Sequence, residues 1–348
     1  MALLLEPLQI KSLMLSNRLI MPPMATSKAE ADGRVSREIL DHYAERSKGA
    51  YLSLIIVEHS YIQAEGKASK NQLSISDDCV TERLKHLADI VHRNGTKCIM
   101  QINHAGSAAD KEIIGSMPLG PSAVPNPRKG GIPRELTREE IDAIVQAFHA
   151  AAYRVKNAGF DGVEIHSAHG YLLNQFLSPL TNKRRDDYGG DIRNRIHLHL
   201  QVIESIRAAV GNDFPILLRL GASDFTAGGT TVEDSQIAAQ EFEKAGVDAL
   251  DISGGFCGYS IPGIYGQGYF APISEAIKQV VSIPVILTGG ITEARAAEQL
   301  LADGKADLIG VGRAVYKDSK WAQKAIESIR TGFRNQRNPV NYKLIRDM

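Results

Sequence analysis

Three side chains at one place in the chain could move a proton. His166, His169 and Tyr171 lie within six residues, in the stretch Val163-Glu164-Ile165-His166-Ser167-Ala168-His169-Gly170-Tyr171. Two imidazoles and a phenol can grip a carbonyl oxygen by hydrogen bonds and deliver a proton beside it. The same residues could also serve as satisfied core histidines next to a packing tyrosine, because polar strand ends mark sites only probabilistically. His166-x-x-His169 has no third metal ligand in a helical context, so no zinc site is expected. A second kind of chemistry is suggested by Thr288-Gly289-Gly290 and Gly310-Val311-Gly312-Arg313. Glycine pairs let backbone N–H groups approach an anion closely, and an arginine can bind phosphate in a bidentate manner. Gln101 and Arg219 would suit a polar heterocycle with carbonyl and ring-nitrogen acceptors. Arg219 could instead be the buried partner of Glu164.

These groups need a scaffold that brings distant segments together. Val163 and Ile165 alternate with Glu164 and His166, which reads as a buried strand running into a polar loop. Apolar runs at 19–24, 52–57, 96–103, 215–221, 249–255, 284–290 and 307–312 read as further strands. Helical patterns separate them, at 36–49, 81–92, 137–158, 192–210, 231–246, 293–301 and 319–330. Thr137-Arg138-Glu139-Glu140 is a capping box, followed by the stripe Ile141, Ile144, Val145, Phe148, Ala151, Ala152 and Val155. Strand–helix alternation repeated about eight times argues for one parallel (β/α)8 TIM barrel. Long loops are expected after the third, fourth and sixth strands, at 104–136, 172–190 and 256–270. An open doubly wound sheet would want Gly-x-Gly-x-x-Gly after its first strand, and none is present. In a barrel, sites collect at the C-terminal strand ends, and polar residues stand at almost every such end here. The barrel is expected to fill 1–332, with a polar tail at 333–348.

Composition excludes several other roles. The chain has 348 residues, 43% hydrophobic, with 40 basic residues against 40 acidic, so no global field favours nucleic acid or an anionic membrane. No apolar run is long enough to span a bilayer, and Met1 to Lys11 lacks the features of a signal peptide. Three scattered cysteines without C-x-x-C give no iron–sulfur or zinc signature and fit a reducing, cytoplasmic setting. The charge run Lys183 to Asp187 reads as a network that pins a loop. Tyr265 and Tyr269 either line the pocket or only pack.

Taken in order, the motifs resemble those of Old Yellow Enzyme-type flavin oxidoreductases over nearly the whole chain. They are Glu6 to Ile10, Asn17 to Met24, Gln101 to Gly106, His166 to Pro179, Asn182 to Arg185, Asp187 to Gly190, Leu218 to Leu220, Thr288 to Gly290, and Gly312-Arg313. The resemblance implies non-covalent FMN and an NAD(P)H-dependent reductase of activated alkenes working by a ping-pong cycle. By matching position it implies that backbone at Pro23, Met24, Ala25 and His59 borders the isoalloxazine. It implies that Gln101 and Arg219 bond the pyrimidine edge, and that Gly289, Gly290, Gly312 and Arg313 hold the phosphate. His166 and His169 would bind an enone-like carbonyl, and Tyr171 would donate the proton. Ala25 departs from the Thr or Cys usual there, with Thr26 as a possible substitute, and His59 is bulky where a small residue is usual. A homo-oligomer is implied, and Arg346 lies two residues beyond the position from which some relatives lend an arginine to a neighbour. Three alternatives stay open: a reductase of 2,4-dienoyl thioesters, a flavin-free sugar-phosphate lyase or isomerase, and a flavoprotein that binds carbonyl or phenolic ligands without turnover.

Overall fold

The structure is a computed structural model that describes residues 2–337, without the side chains of 333–337. Eight parallel strands close into a barrel in sequence order. They are β1 (Leu19–Met21), β2 (Leu54–Tyr61), β3 (Lys97–Asn103), β4 (Gly162–Ser167), β5 (Ile216–Gly221), β6 (Ala249–Ser253), β7 (Val285–Leu287) and β8 (Leu308–Gly310). Closure is made by β8 against β1, with Ile309 opposite Leu19 and Gly310 opposite Ile20. The expected (β/α)8 architecture is therefore the one observed.

Alternation along each strand divides the side chains into two populations. Outward residues such as Val163, Ile165, Leu218, Leu220, Leu250 and Ile252 pack under the helices in the larger core. Inward residues split again along the barrel axis. Ile20, Leu54, Ile56, Ile99, Leu217, Ala249, Ile286 and Leu308 form an apolar inner cluster. An N-terminal antiparallel hairpin, Leu8–Ile10 with Leu13–Leu15, adds Ile10, Leu13 and Leu15 to that cluster and plugs the barrel at this end. The next inward positions toward the strands' C-terminal ends are polar: Gln101, Glu164, Arg219 and Asp251, all buried.

The helix Arg138–Asn157 follows its sequence pattern closely. The Thr137 hydroxyl accepts from the Glu140 N–H at 3.3 Å, and the Glu140 carboxylate accepts from the Thr137 N–H at 2.9 Å. The expected apolar stripe is the buried face.

Several boundaries differ from the sequence expectation. β1 stops at Met21 because Pro22 and Pro23 have no N–H for the ladder. The expected helix 192–210 breaks at Ile196 into Ile192–Arg195 and His197–Val210. Arg195, buried, ties that first turn elsewhere, to the Leu177 carbonyl at 2.5 Å and to Asp234 at 2.9 Å. The segment read as a loop at 172–190 begins with a helix, Leu172–Leu177, whose six residues are all buried. A helix buried on every side has no amphipathic period to read. The loop at 104–136 is folded too, with short helical turns and a parallel two-residue pairing of Leu119–Gly120 with Arg134–Glu135. The last helix, Trp321–Arg337, runs into the stretch expected as tail from 333. The remainder of that tail, Arg346 included, lies outside the described residues.

Candidate functional site

The imidazoles and the phenol converge. His166 leaves the end of β4 inward, on the same face as Glu164. Its ring centroid lies 5.1 Å from that of His169 and 5.1 Å from that of Tyr171, both edge-on. His59, next to a register shift between Val57 and Ser60 in β2, brings its ring within 5.3 Å of Tyr171 and 6.1 Å of His166. The sequence reading gave His59 only a backbone role, yet its side chain belongs to the cluster. Gln72 sits on its Nδ1 at 2.7 Å.

The turn that carries His169 is strained and pinned. His169 adopts φ 60°, a left-handed conformation unusual for a residue with a Cβ. Its N–H donates to the Gly254 carbonyl, and its carbonyl accepts from Arg128 Nη1 at 2.7 Å. The Gly170 N–H donates to Asn174 Oδ1, and the Gly170 carbonyl accepts from Gln175 Nε2, each at 2.7 Å. Both side chains belong to the buried helix Leu172–Leu177, so that helix sets the turn. Ser253 Oγ lies 2.8 Å from His169 Nε2, leaving Nδ1 as the free ring nitrogen.

Burial fixes the protonation states. Desolvation holds His166 and His169 well below the usual imidazole range, with Arg219 pushing the same way. His59 is lowered to about 4, first by burial and then by Arg219. The Tyr171 hydroxyl is raised by burial, against an opposing pull from Arg128. At neutral pH the cluster is three neutral imidazoles and a protonated phenol.

Polar inward residues of β3 to β6 adjoin the cluster. Register places Gln101 beside Glu164, and His166, Arg219 and Asp251 in one row across β4, β5 and β6. Gln101 Nε2 donates to Glu164 Oε2 at 2.7 Å, while Arg219 Nε stands 3.3 Å from Asp251 Oδ2. The ionic partner of Arg219 is thus Asp251, a residue that the sequence reading did not single out. Its signal was available in Ala249-Leu250-Asp251-Ile252-Ser253, which alternates with Asp251 and Ser253 inward. One guanidinium faces two dry carboxyl groups, so only one of them ionises cheaply. Burial raises Glu164 well above the carboxylate range, and the neighbouring Asp251 charge adds to this. Asp251 is raised to about 6 by burial, with Arg219 opposing. We therefore assign the proton to Glu164 and the negative charge to Asp251.

The ends of β1, β7 and β8 form the opposite wall. A Cβ at Gly312 would come within 2.6 Å of Met24 Sδ and 3.4 Å of Pro22 Cγ, so these strand ends touch. Pro23 and Met24 are half-buried and Ala25 is exposed. The Thr26 hydroxyl, considered as a substitute at position 25, donates to Glu58 Oε1 at 2.6 Å and is committed there. Gly289 and Gly290 have φ 113° and 70°. A Cβ at Gly290 would run into the Gly266 carbonyl, so only glycine suits this position. The Tyr269 ring lies over both glycines, and its hydroxyl accepts from Arg313 Nη2 at 3.0 Å. Tyr269 thus packs at this wall, whereas Tyr265 is 89% exposed. The run Lys183 to Asp187 pins loops as expected: Arg184 binds Asp186 and donates to the Leu136 carbonyl at 2.7 Å. The structure brings the candidate residues to one barrel mouth, with Arg128 and Asp251 as additions.

The chain is similar to known proteins over most of its length. A model of the NADH:flavin oxidoreductase / NADH oxidase family matches residues 3–331. The chain is 43% identical over 326 residues to an NADH oxidase of Thermoanaerobacter brockii, covering 92% of this chain and 50% of that one. It is 37% identical over 332 residues to an NADPH dehydrogenase of Geobacillus sp. (strain WCH70), covering 94% and 95%. Among solved structures it is similar to a 2-naphthoyl-CoA reductase in complex with 2-naphthoyl-CoA. There the TM-score is 0.89 at 28% identity, over 94% of this chain and 52% of that one. The chain therefore spans about half the length of the first of these proteins and nearly all of the second.

Proposed function

The chain belongs to the NADH:flavin oxidoreductase / NADH oxidase family, and from that premise we propose that it is an FMN-dependent reductase of alkenes conjugated to a carbonyl, with NADH or NADPH as reductant. The observation that carries this reading is the gathering of His166, His169 and Tyr171 at one barrel mouth with Arg219, in the same row as His166, and Gln101.

The residues fit FMN. Buried polar atoms at the mouth have no hydrogen-bond partner, among them His166 Nδ1 and both side-chain atoms of Asn103. Such atoms are costly unless a ligand or water satisfies them. Gln101 and Arg219 would meet the pyrimidine edge of the ring. Pro23, Met24, Ala25 and the His59 ring would flank it. Gly289, Gly290, Gly312 and Arg313 would hold the phosphate tail. Bound there, FMN supplies hydride acceptance from a nicotinamide and hydride donation to carbon.

The protein's own part follows from the protonation states. Neutral His166 and His169 can each donate an N–H to a substrate carbonyl oxygen. Donors already in place when charge builds on that oxygen lower the barrier without reorganisation. Protonated Tyr171 stands beside them and gives its proton to the α-carbon.

Purified protein should take up FMN and become yellow. Under anaerobic conditions NADH or NADPH should bleach it, and cyclohex-2-enone should restore the colour. A protein that takes up no FMN sinks the reading and favours a flavin-free barrel. One that is bleached but not restored by any enone is a flavoprotein without this turnover. A second reading, reduction of unsaturated thioesters, is supported by the similarity to a structure bound to 2-naphthoyl-CoA. A panel of enones against dienoyl thioesters decides between the two.

A further inference from the structure

One cation at the mouth has no role in the chemistry above. The loop after β3 carries Arg128 back over the site, where its Nη1 donates to the His169 carbonyl at 2.7 Å. Arg128 is exposed, and the rest of its side chain lies against two other loops. A Cβ at Gly258, after β6, would lie 3.2 Å from Arg128 Nη2 and 3.3 Å from its Cζ. A Cβ at Gly170, after β4, would lie 3.4 Å from its Cδ. Both glycines have positive φ, 76° and 75°. Three loops thus border one exposed arginine.

What the arginine lacks is a counter-charge. Among the described residues no carboxylate makes an ion pair with it. Asp224, on the neighbouring loop, is occupied by the Ser178 hydroxyl and by the N–H groups of Thr230 and Phe256. The rings at the mouth are neutral, and Asp251 is paired with Arg219. Yet the Arg128 charge is felt at the reacting groups, since it acts on both His169 and Tyr171.

We propose that Arg128 anchors an anionic substituent, a carboxylate in the simplest case, on the unsaturated substrate. With Nη1 held by a backbone carbonyl, the remaining N–H groups are pre-aimed, and a carboxylate would complete a charge-assisted pair. The inference rests on the alkene-reductase reading and narrows its substrate class to acids or other anions bearing the conjugated alkene.

The test uses FMN-loaded protein and two acceptors of matched shape, cyclohex-2-enone and 3-oxocyclohex-1-ene-1-carboxylate. Wild type should prefer the carboxylate in kcat/KM, and the preference should shrink as NaCl rises. Arg128→Gln should lower the anion-over-neutral ratio by on the order of 10- to 100-fold, chiefly through KM, and Arg128→Lys should recover part of it. Reduction by NADPH and by NADH should respond alike to the substitution. Equal losses on both acceptors would make Arg128 only a clamp on the His169 turn and overturn the proposal. A loss confined to NADPH would assign the arginine to the coenzyme's phosphate and overturn it as well. If wild type reduces cyclohexenone without any charge preference, this inference alone fails. If it reduces neither acceptor, the alkene-reductase reading fails with it.

Discussion

Tyr171 and the carboxyl pair carry the sharpest consequences at the level of single residues. Tyr171→Phe removes the hydroxyl and keeps the ring that packs against His59 and His166. Reoxidation by an enone should slow by on the order of 10²- to 10⁴-fold, while bleaching by NADPH stays close to normal in stopped-flow traces. Comparable losses in both half-reactions would count against the proton-donor role. The second consequence separates two buried acids that look alike in sequence. Glu164 holds its proton, so Glu164→Gln replaces one neutral group by another and should change stability by less than about 1 kcal/mol. Asp251→Asn leaves Arg219 buried without its counter-charge and should cost roughly 3–5 kcal/mol. Urea unfolding of the two variants gives the comparison, and the reverse order would place the negative charge on Glu164.

At the scale of elements, the loops are positioned by side chains far from the chemistry. The helix Leu172–Leu177 presents Asn174 and Gln175 to the His169–Gly170 turn, and Gln175 also donates to the Ala105 carbonyl in the loop after β3. Loops after β3 and β4 therefore form one hydrogen-bonded unit. On the other wall, the turn after β7 depends on Gly290, whose missing Cβ leaves room for the Gly266 carbonyl. Gly290→Ala should displace the loop carrying Tyr269 and weaken the tail site. In fluorescence titrations FMN should lose at least about tenfold in affinity, with riboflavin, which lacks the phosphate, losing less. Equal losses for the two flavins would mean that this turn does not serve the tail.

Over the whole molecule, buried neutral histidines set the response to acid. Burial lowers His42, His104 and His199 to about 3, 4 and 3. The unfolded chain takes up these protons near pH 6.5, and the folded chain only at the lower values, so stability is lost as pH falls through 6.5. At pH 5 each histidine removes roughly 2 kcal/mol, from ~1.36 kcal/mol per pH unit. Asp251, raised to about 6, acts in the opposite sense, because the folded chain binds its proton first. It returns only roughly 1 kcal/mol at pH 5. With His59, His166 and His169 counted, six buried imidazoles outweigh the raised carboxyls Glu58, Glu164 and Asp251, so the urea midpoint should drop clearly between pH 7 and pH 5. A midpoint that holds or rises would show that these rings carry charge in the folded protein.

The barrel and most of its mouth were legible in the chain because both are written locally. Alternation along β4 assigns Glu164 and His166 to one face whatever the rest does, and the capping box at Thr137 and Glu140 starts its helix from four adjacent residues. The paired glycines at 289–290 likewise announce a turn that residues with a Cβ resist. What the chain did not disclose depends on residues that meet only after closure. The choice of Asp251 over Glu164 as partner for Arg219 follows from strand register across β4, β5 and β6. The ring of His59 joins Tyr171 because β2 shifts register near its end. Arg128 reaches His169 across 41 positions of sequence, passing close to Gly170 and Gly258. Spacing along the chain fixes which way a side chain points, whereas its distance to a partner is fixed only when the strands have closed into a ring.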